Sequence, residues 1–365
     1  MTNSFFMGGD CLSLSLDLRA GHLMDVTFMD QGRRLKPLYA APWAVDDLPD
    51  SEPMVVRRLS GDFFCAPFCQ PDVEPAPWHG WTANAAWHPI DAAQAGQGDA
   101  VYRFELERTV MGARVEKQLR LVNGQPILHE RHIFHGGEGA LPVAHHTMLR
   151  TDTGLKLSFS PKRFGLTPEH GAAEDTEKGA SVLAYPQTFT DLSQLRLRTG
   201  QTVDATRHPY SAKTEDHIYL FEAPDATIGW SAAVNCAEAY AFFALKDPRI
   251  LPTTLLWVSN YGLDAFPCAG PFAGKHGACL GVEEICSNLA AGHAASVAAN
   301  ALSNQGIPTA HSLNSEGALV IDYVFGCVAV DPDWREIVAI ERDEESITLK
   351  DAGGAQRRLA VTLPF

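Results

Sequence analysis

The sequence predicts an all-β protein, folded as one large antiparallel β-sandwich over residues 1–365. Three observations predict it. Apolar and polar residues alternate with period two in many separate runs. Polar turn signals such as Asn123-Gly124 divide those runs. Helical periodicity is scarce, and no Pro/Gly/Ser-rich linker or fixed-period repeat splits the chain. The length alone would allow two or three domains, but large all-β folds run well past about 200 residues as one unit.

Taken in order, Leu12 to Leu18 alternates, turns at Arg19-Ala20-Gly21-His22 and continues in Leu23 to Met29 as a hairpin partner. Val101 to Val110 and Ala113 to Val122 alternate across Met111-Gly112. Asn123-Gly124 then leads into Ile127 to Phe134. Strands are expected at Leu155–Phe159, His217–Glu222, Thr227–Ala233, Tyr240–Leu245 and Thr253–Ser259. The best helix candidate is the alanine-rich stretch Leu289 to Leu302, after Ser287-Asn288 and before Asn304-Gln305-Gly306. Strands follow at Ala318–Val324 and Glu336–Glu341. A last hairpin joins Ser346–Lys350 to Arg358–Leu363 across Asp351-Ala352-Gly353-Gly354.

Composition narrows the function. The apolar fraction is 45%, enough for a sizeable core. No run of about 18 apolar residues is present, so no membrane helix is expected. The formal net charge is −15, from 29 basic and 44 acidic residues. Nucleic acids and anionic membranes are therefore not expected partners, because both recruit Lys and Arg. A local basic pocket for one phosphate stays open. The N-terminus shows no basic segment leading into an apolar one, so no signal peptide is read and a cytoplasmic location is expected. The eight cysteines form no Cys-x-x-Cys, and Cys65 and Cys69 have no second pair to complete a zinc site. Reduced, buried thiols are expected.

Phosphate-loop, dinucleotide, zinc-protease and serine-hydrolase signatures are absent. No cofactor and no metal are expected. His129, His132 and His135 are spaced by three, which alternates faces on a strand and builds no metal face. Three segments remain. Trp78-His79-Gly80-Trp81, with Trp87, gathers three of the seven tryptophans around a histidine. Indoles, an imidazole and a close-approach glycine suit a sugar ring, though such tryptophans also plug sandwich ends. His145-His146 lies in an apolar run; on a strand one ring faces a pocket and the other packs or meets solvent. Gly281-Val282-Glu283-Glu284 sets two acids among apolar residues. One is expected to be exposed and the other paired, and a desolvated carboxyl there would be poised for proton transfer.

In order along roughly residues 55–290, these segments resemble the galactose mutarotase (aldose 1-epimerase) superfamily. The resemblance is carried by His79-Gly80 ahead of Trp87, by Pro142-x-x-x-His146-x-x-Leu149 and by the late Gly281-x-Glu283. It also includes Arg58 to Phe68, Trp257-Val258-Ser259-Asn260-Tyr261-Gly262 and Pro267. It implies a large antiparallel β-sandwich and a cofactor-free isomerase. In that role His146 would be the general acid toward the ring oxygen, and Glu283 the base at the anomeric hydroxyl. His79 would contact the sugar, with Trp81, Arg58, Trp257 and Asp216 as further substrate-binding candidates. The partner would be a small-molecule sugar or sugar phosphate, with Arg57, Arg58 and Lys275 available to a phosphate.

This chain departs from the family pattern in two places. Thr147-Met148-Leu149 stands where an aromatic run is common, and the Asn-Arg pair before the first histidine is missing. The match is therefore to the broad superfamily. Two other readings stay open: a carbohydrate-binding or sensory module without turnover, and a lyase or hydrolase needing a second pocket acid or a tyrosine. The sugar and the oligomeric state are not specified by the sequence.

Overall fold

Two large antiparallel sheets lie face to face in the computed structural model, which describes residues 3–91, 99–171, 181–263 and 272–365. One has seven strands, in the order Gln187–Phe189, Lys162–Thr167, Thr214–Glu222, Thr253–Asn260, Cys279–Cys286, Val143–Arg150 and Phe64–Cys65. The other has nine. It runs from Arg207–His208 through Leu155–Phe159, Gly229–Asn235, Tyr240–Lys246, Ala318–Ala329, Ile127–His135, Arg114–Leu121 and Ala100–Leu106 to Trp87–Asp91. The all-β sandwich expected from the alternating runs is the observed fold.

Alternation decides which residues meet between the sheets. In Thr253–Asn260 the inward positions are Leu256 and Val258; in Cys279–Cys286 they are Leu280, Val282 and Cys286. They pack on Leu128, Phe134, Phe242 and Phe325 of the nine-stranded sheet. The outward face of the nine-stranded sheet is also covered. Trp230, Phe243 and Val324 pack there on Ile340, Ile347 and Leu359 of the C-terminal strands Ile337–Arg342, Ser346–Asp351 and Gln356–Ala360. On the other side, the outward face of the seven-stranded sheet carries a third apolar cluster, including Val55, Phe63, Phe68 and Phe272. Val55 comes from the short helix Met54–Arg57, Phe63 and Phe68 from the segment that follows it, and Phe272 from a separate stretch of the chain. With both faces of each sheet covered, the central strands read as nearly unbroken buried runs.

Most expected hairpins form. Leu12–Asp17 pairs with Leu23–Asp30, and Arg114–Leu121 with Ile127–His135. Ser346–Asp351 pairs with Gln356–Ala360. The strand expected to run to Val110 stops at Leu106, because Met111 and Gly112 both take positive φ in the following turn. The helix expected over Leu289 to Leu302 is not continuous. Only His293–Val297 is α-helical, with a 3-10 turn at Ser303–Gln305. Leu289 (φ 52°) and Gly292 (φ 99°) keep the helix from starting before His293, and extended backbone at Ala298 (ψ 156°) ends it after Val297. Pro267 and Cys268 lie outside the described residues. The other seven cysteines are free thiols, and five of them are buried. Among the described residues no helix is long and apolar enough to cross a membrane.

Candidate active site

The outward face of the seven-stranded sheet holds a cavity of about 480 Å³. That lies within the range of small-molecule sites. Four strands contribute to its floor: His146 from Val143–Arg150, Glu283 from Cys279–Cys286, Leu255 and Trp257 from Thr253–Asn260, and Glu215 and His217 from Thr214–Glu222. The walls are Phe63, Phe68, Val55, Val56, Leu263 and Phe272, with Trp78 and His79 at one side.

Register brings the central pair together. His146 and Glu283 are direct cross-strand partners, so both side chains leave the sheet on one face about 5 Å apart at their Cβ atoms. His146 Nε2 lies 3.2 Å from Glu283 Oε1. Gly281, two residues before Glu283 and opposite Trp257, explains the Gly-x-Glu spacing. A Cβ there would sit 3.0 Å from Trp257 Cβ and 3.1 Å from Glu283 Oε1.

Aromatic contacts hold the His146 ring. Phe63 stacks on it at 4.4 Å, while Trp257 (5.5 Å) and His79 (5.6 Å) meet it edge-on. His276 stacks on Trp257 at 5.3 Å and is itself anchored by Ser259 Oγ at 2.8 Å.

His79 owes its place to strained backbone. His79 (φ 65°) and Gly80 (φ 75°) both take positive φ. A Cβ on Gly80 would lie 2.0 Å from the Ala66 carbonyl oxygen. Only glycine fits there. The His79 N–H donates to Cys69 O (3.0 Å), and His79 Nδ1 accepts from the Cys69 N–H (3.4 Å). That places the imidazole proton on Nε2, leaving it as a donor. Asn84 ties the turn closed by donating to Trp78 O and Gly80 O, and it accepts from Val55 N–H.

Burial governs the electrostatics. It pushes the Glu283 carboxyl well above its usual range, with Asp62 adding repulsion. It drives the His146 imidazole well below its usual range, and His79 adds to the effect. Glu215 is pushed up to about 8 by burial, partly offset by its hydrogen bond from the Trp257 indole N–H. His79 falls to about 3 and His217 to about 4, both by burial. Burial thus favours the uncharged forms of Glu283, His146, Glu215, His79 and His217 at neutral pH.

Of the residues singled out in the sequence, His79, His146, Trp257 and Glu283 line this one cavity. Three others do not. Arg58 is turned away, with Nε 2.5 Å from the buried Asp17 Oδ2. Trp81 packs on the inter-sheet core under the guanidinium of Arg108, and Trp78 takes the cavity side of that turn. Asp216 faces inward, where Tyr185 (2.9 Å), Tyr210 (2.8 Å) and Thr214 (2.5 Å) donate to it. The pocket acid of that strand is its neighbour Glu215, which the sequence reading missed by one position. The alternation of Thr214–Glu222 carried the signal, since Glu215 shares a face with His217.

The phosphate candidates fail too. Arg57 pairs with Asp50 at 2.8 Å and Lys275 is exposed, and among the described residues no Lys or Arg lines the cavity. The expectation that Glu283 or Glu284 is exposed is also overturned. Both are buried, because both faces of their strand are covered. Glu284 points between the sheets, where it pairs with Lys246 and accepts from Thr254 (2.8 Å) and Ser231 (2.5 Å).

On metals, one group among the described residues has ligand atoms near enough to share an ion: Glu130, His132 and His145. It lies between the sheets, not in the cavity.

No protein-family model and no curated protein matches the sequence. Solved structures do match in fold. A protein of Escherichia coli K12 provisionally assigned as an aldose 1-epimerase superposes with a TM-score of 0.56 at 12% identity, over 90% of this chain and 99% of that one. The Slr1438 protein of Synechocystis sp. PCC 6803 gives 0.55 at 13% identity, over 90% and 96%. A galactose mutarotase related enzyme of Lactobacillus acidophilus gives 0.53 at 9% identity, over 90% and 98%. The chain has the galactose mutarotase-like sandwich fold.

Proposed function

We propose that this protein is a cofactor-independent aldose 1-epimerase-like isomerase acting on an unphosphorylated sugar. The observation that carries the reading is the register pair His146 and Glu283, 3.2 Å apart on the floor of a cavity also lined by His79, Trp257 and Glu215.

Anomer exchange needs one base and one acid at neighbouring oxygens of one ring. Glu283 as carboxylate takes the proton from the anomeric hydroxyl. That oxygen's electron pair forms the carbonyl as the bond from C1 to the ring oxygen breaks. His146 as imidazolium delivers a proton to the released ring oxygen. Rotation about the C1–C2 bond and reclosure run both transfers backwards and yield the other anomer. Over the opening step one proton passes from His146 to Glu283 through the sugar, so the pair needs a single proton in all. Burial suits this. With the proton on Glu283 the pair is uncharged, and with it on His146 the pair is the ion pair that opens the ring.

The indole face of Trp257 suits the C–H face of a sugar, and Glu215 and the His79 Nε2–H suit its hydroxyls. The absence of Lys and Arg from the described lining favours a neutral substrate over a sugar phosphate. The test is polarimetry or NMR exchange on freshly dissolved single anomers. Wild type should speed anomer exchange, and Glu283→Gln should slow it by roughly 10²–10⁴-fold. No acceleration across a panel of neutral aldoses and hexose phosphates would refute the reading.

A second reading, a sugar-binding module without turnover, is favoured by the largely apolar walls Val55, Val56, Phe63, Phe68 and Phe272. It is distinguished by saturable binding that survives Glu283→Gln while wild type gives no exchange.

A further inference from the structure

We propose that Glu130, His132 and His145 form a binding site for a divalent transition-metal cation, zinc by preference, clamped between the two sheets. Glu130 and His132 are two apart on Ile127–His135 and share its inward face, which the threefold histidine spacing concealed. His145 reaches them from Val143–Arg150 on the opposite sheet. One ligand atom from each residue lies within 4.8 Å of the other two. Two imidazoles and a carboxylate suit zinc and its first-row neighbours.

Two independent features point to a cation rather than to packing. First, all three side chains are 0% exposed, yet both nitrogens of His132 and Nε2 of His145 have no hydrogen-bond partner. Three such atoms in one interior are costly unless something satisfies them. Second, His145 is oriented as a ligand. Its Nδ1 lies 3.2 Å from Asp62 Oδ2, and the tautomer that donates there keeps a lone pair on the unpartnered Nε2. Asp62 is held in turn by Thr147 Oγ1 (2.6 Å), which also meets Tyr323 Oη (2.9 Å). A carboxylate behind a histidine is the usual second support of a metal ligand. Lys117 Nζ forms a buried ion pair with Glu130 Oε2 at 3.9 Å and gives its hydrogen bond to Gly21 O at 2.7 Å, which leaves the two imidazoles without a partner.

The rings are also placed for it. His132 and His145 have centroids 5.2 Å apart, and Phe64 stacks on His132 at 3.9 Å, fixing its plane. Ligation at about 2.0–2.2 Å requires the three ligand atoms to draw inward by small side-chain rotations. The second oxygen of Glu130 or a water would fill the fourth position. Because the site is sealed, the ion enters during folding.

The test uses the full chain, unfolded with a chelator, desalted and refolded with excess Co²⁺ as a visible probe. Bound cobalt after desalting should be about one per chain, with imidazole-type ligand-field bands and a raised unfolding midpoint. Glu130→Gln and His132→Gln should each cut bound cobalt roughly tenfold or more. Folded wild type holding less than about a tenth of an equivalent of cobalt or zinc would overturn the proposal. So would a stoichiometry unchanged in both variants, since the ion would then sit elsewhere. If the variants fail to fold, wild type decides alone: an unfolding midpoint unmoved by cobalt overturns the site.

Discussion

Replacing Glu215 with glutamine should reverse the sign of its effect on stability between acid and neutral pH. The Glu215 carboxyl is pushed from its ordinary 4.5 to about 8 by burial. A raised folded value means that the folded state keeps a proton that the unfolded state has released. Stability is therefore fully present below about pH 4.5 and falls as pH rises toward 8. At pH 7 the gap spans two and a half pH units at about 1.4 kcal/mol each, or about 3 kcal/mol.

Glu215→Gln removes that loss. Its amide oxygen can still accept from the Trp257 indole, as Glu215 Oε1 does now. Its amide nitrogen takes the place of Oε2, which is buried without a partner, at a cost of about 1 kcal/mol. The variant should thus be about 1 kcal/mol less stable than wild type at pH 4.5 and about 2 kcal/mol more stable at pH 7. Urea unfolding at half-unit pH steps measures the difference directly. A difference that stays flat from pH 5 to 8 would refute the buried, protonated Glu215.

Three other outcomes are expected. Acid should unfold the protein cooperatively. His22, His79 and His276 are lowered by burial to about 3, and His208 and His217 to about 4. Their stabilising effect is whole above about pH 6.5 and is lost as pH falls toward those values, at about 3 kcal/mol per group. Five such groups come to about 15 kcal/mol, the top of the range of domain stability, so circular dichroism that is native at pH 4 would contradict their burial. Gly80→Ala should cost at least about 3 kcal/mol, because its Cβ would lie 2.0 Å from Ala66 O at a φ of 75°; a denaturation midpoint matching wild type would show that the turn is wrongly drawn. Arg58→Ala should leave sugar affinity unchanged by calorimetric titration, whereas Asp216→Ala should destabilise by about 3–5 kcal/mol through three stranded hydroxyl donors. A large affinity loss in Arg58→Ala would return that residue to the site.

The layers of the fold were legible because alternation is a local signal. Leu12–Asp17, Arg114–Leu121 and Thr253–Asn260 each carry their inward face in the order of their own residues. The helix over Leu289 to Leu302 failed for a local reason as well, since positive φ at Leu289 and Gly292 and extended Ala298 confine it to His293–Val297. The site was legible where a motif names one residue, as with His79-Gly80 and Gly281-x-Glu283. It was not legible where the residue's face depends on a distant partner. Arg58 is claimed by Asp17, far away in sequence, and Asp216 by Tyr185 and Tyr210. Glu130 gave no signal at all, because its partner His145 belongs to the other sheet.

The paired strands Val143–Arg150 and Cys279–Cys286 carry two histidines opposite two glutamates, with His145 facing Glu284 and His146 facing Glu283. One pair faces the cavity and the other faces the interior. For anyone aligning this chain with distant relatives, that doubling is a trap. An alignment displaced by one residue can still set one histidine on a histidine and one glutamate on a glutamate. It would nevertheless exchange every cavity residue of both strands for an interior one. Placing the two strands by their glycine, Gly281, and by Trp257 opposite it breaks the tie, since neither has a double in the adjoining position.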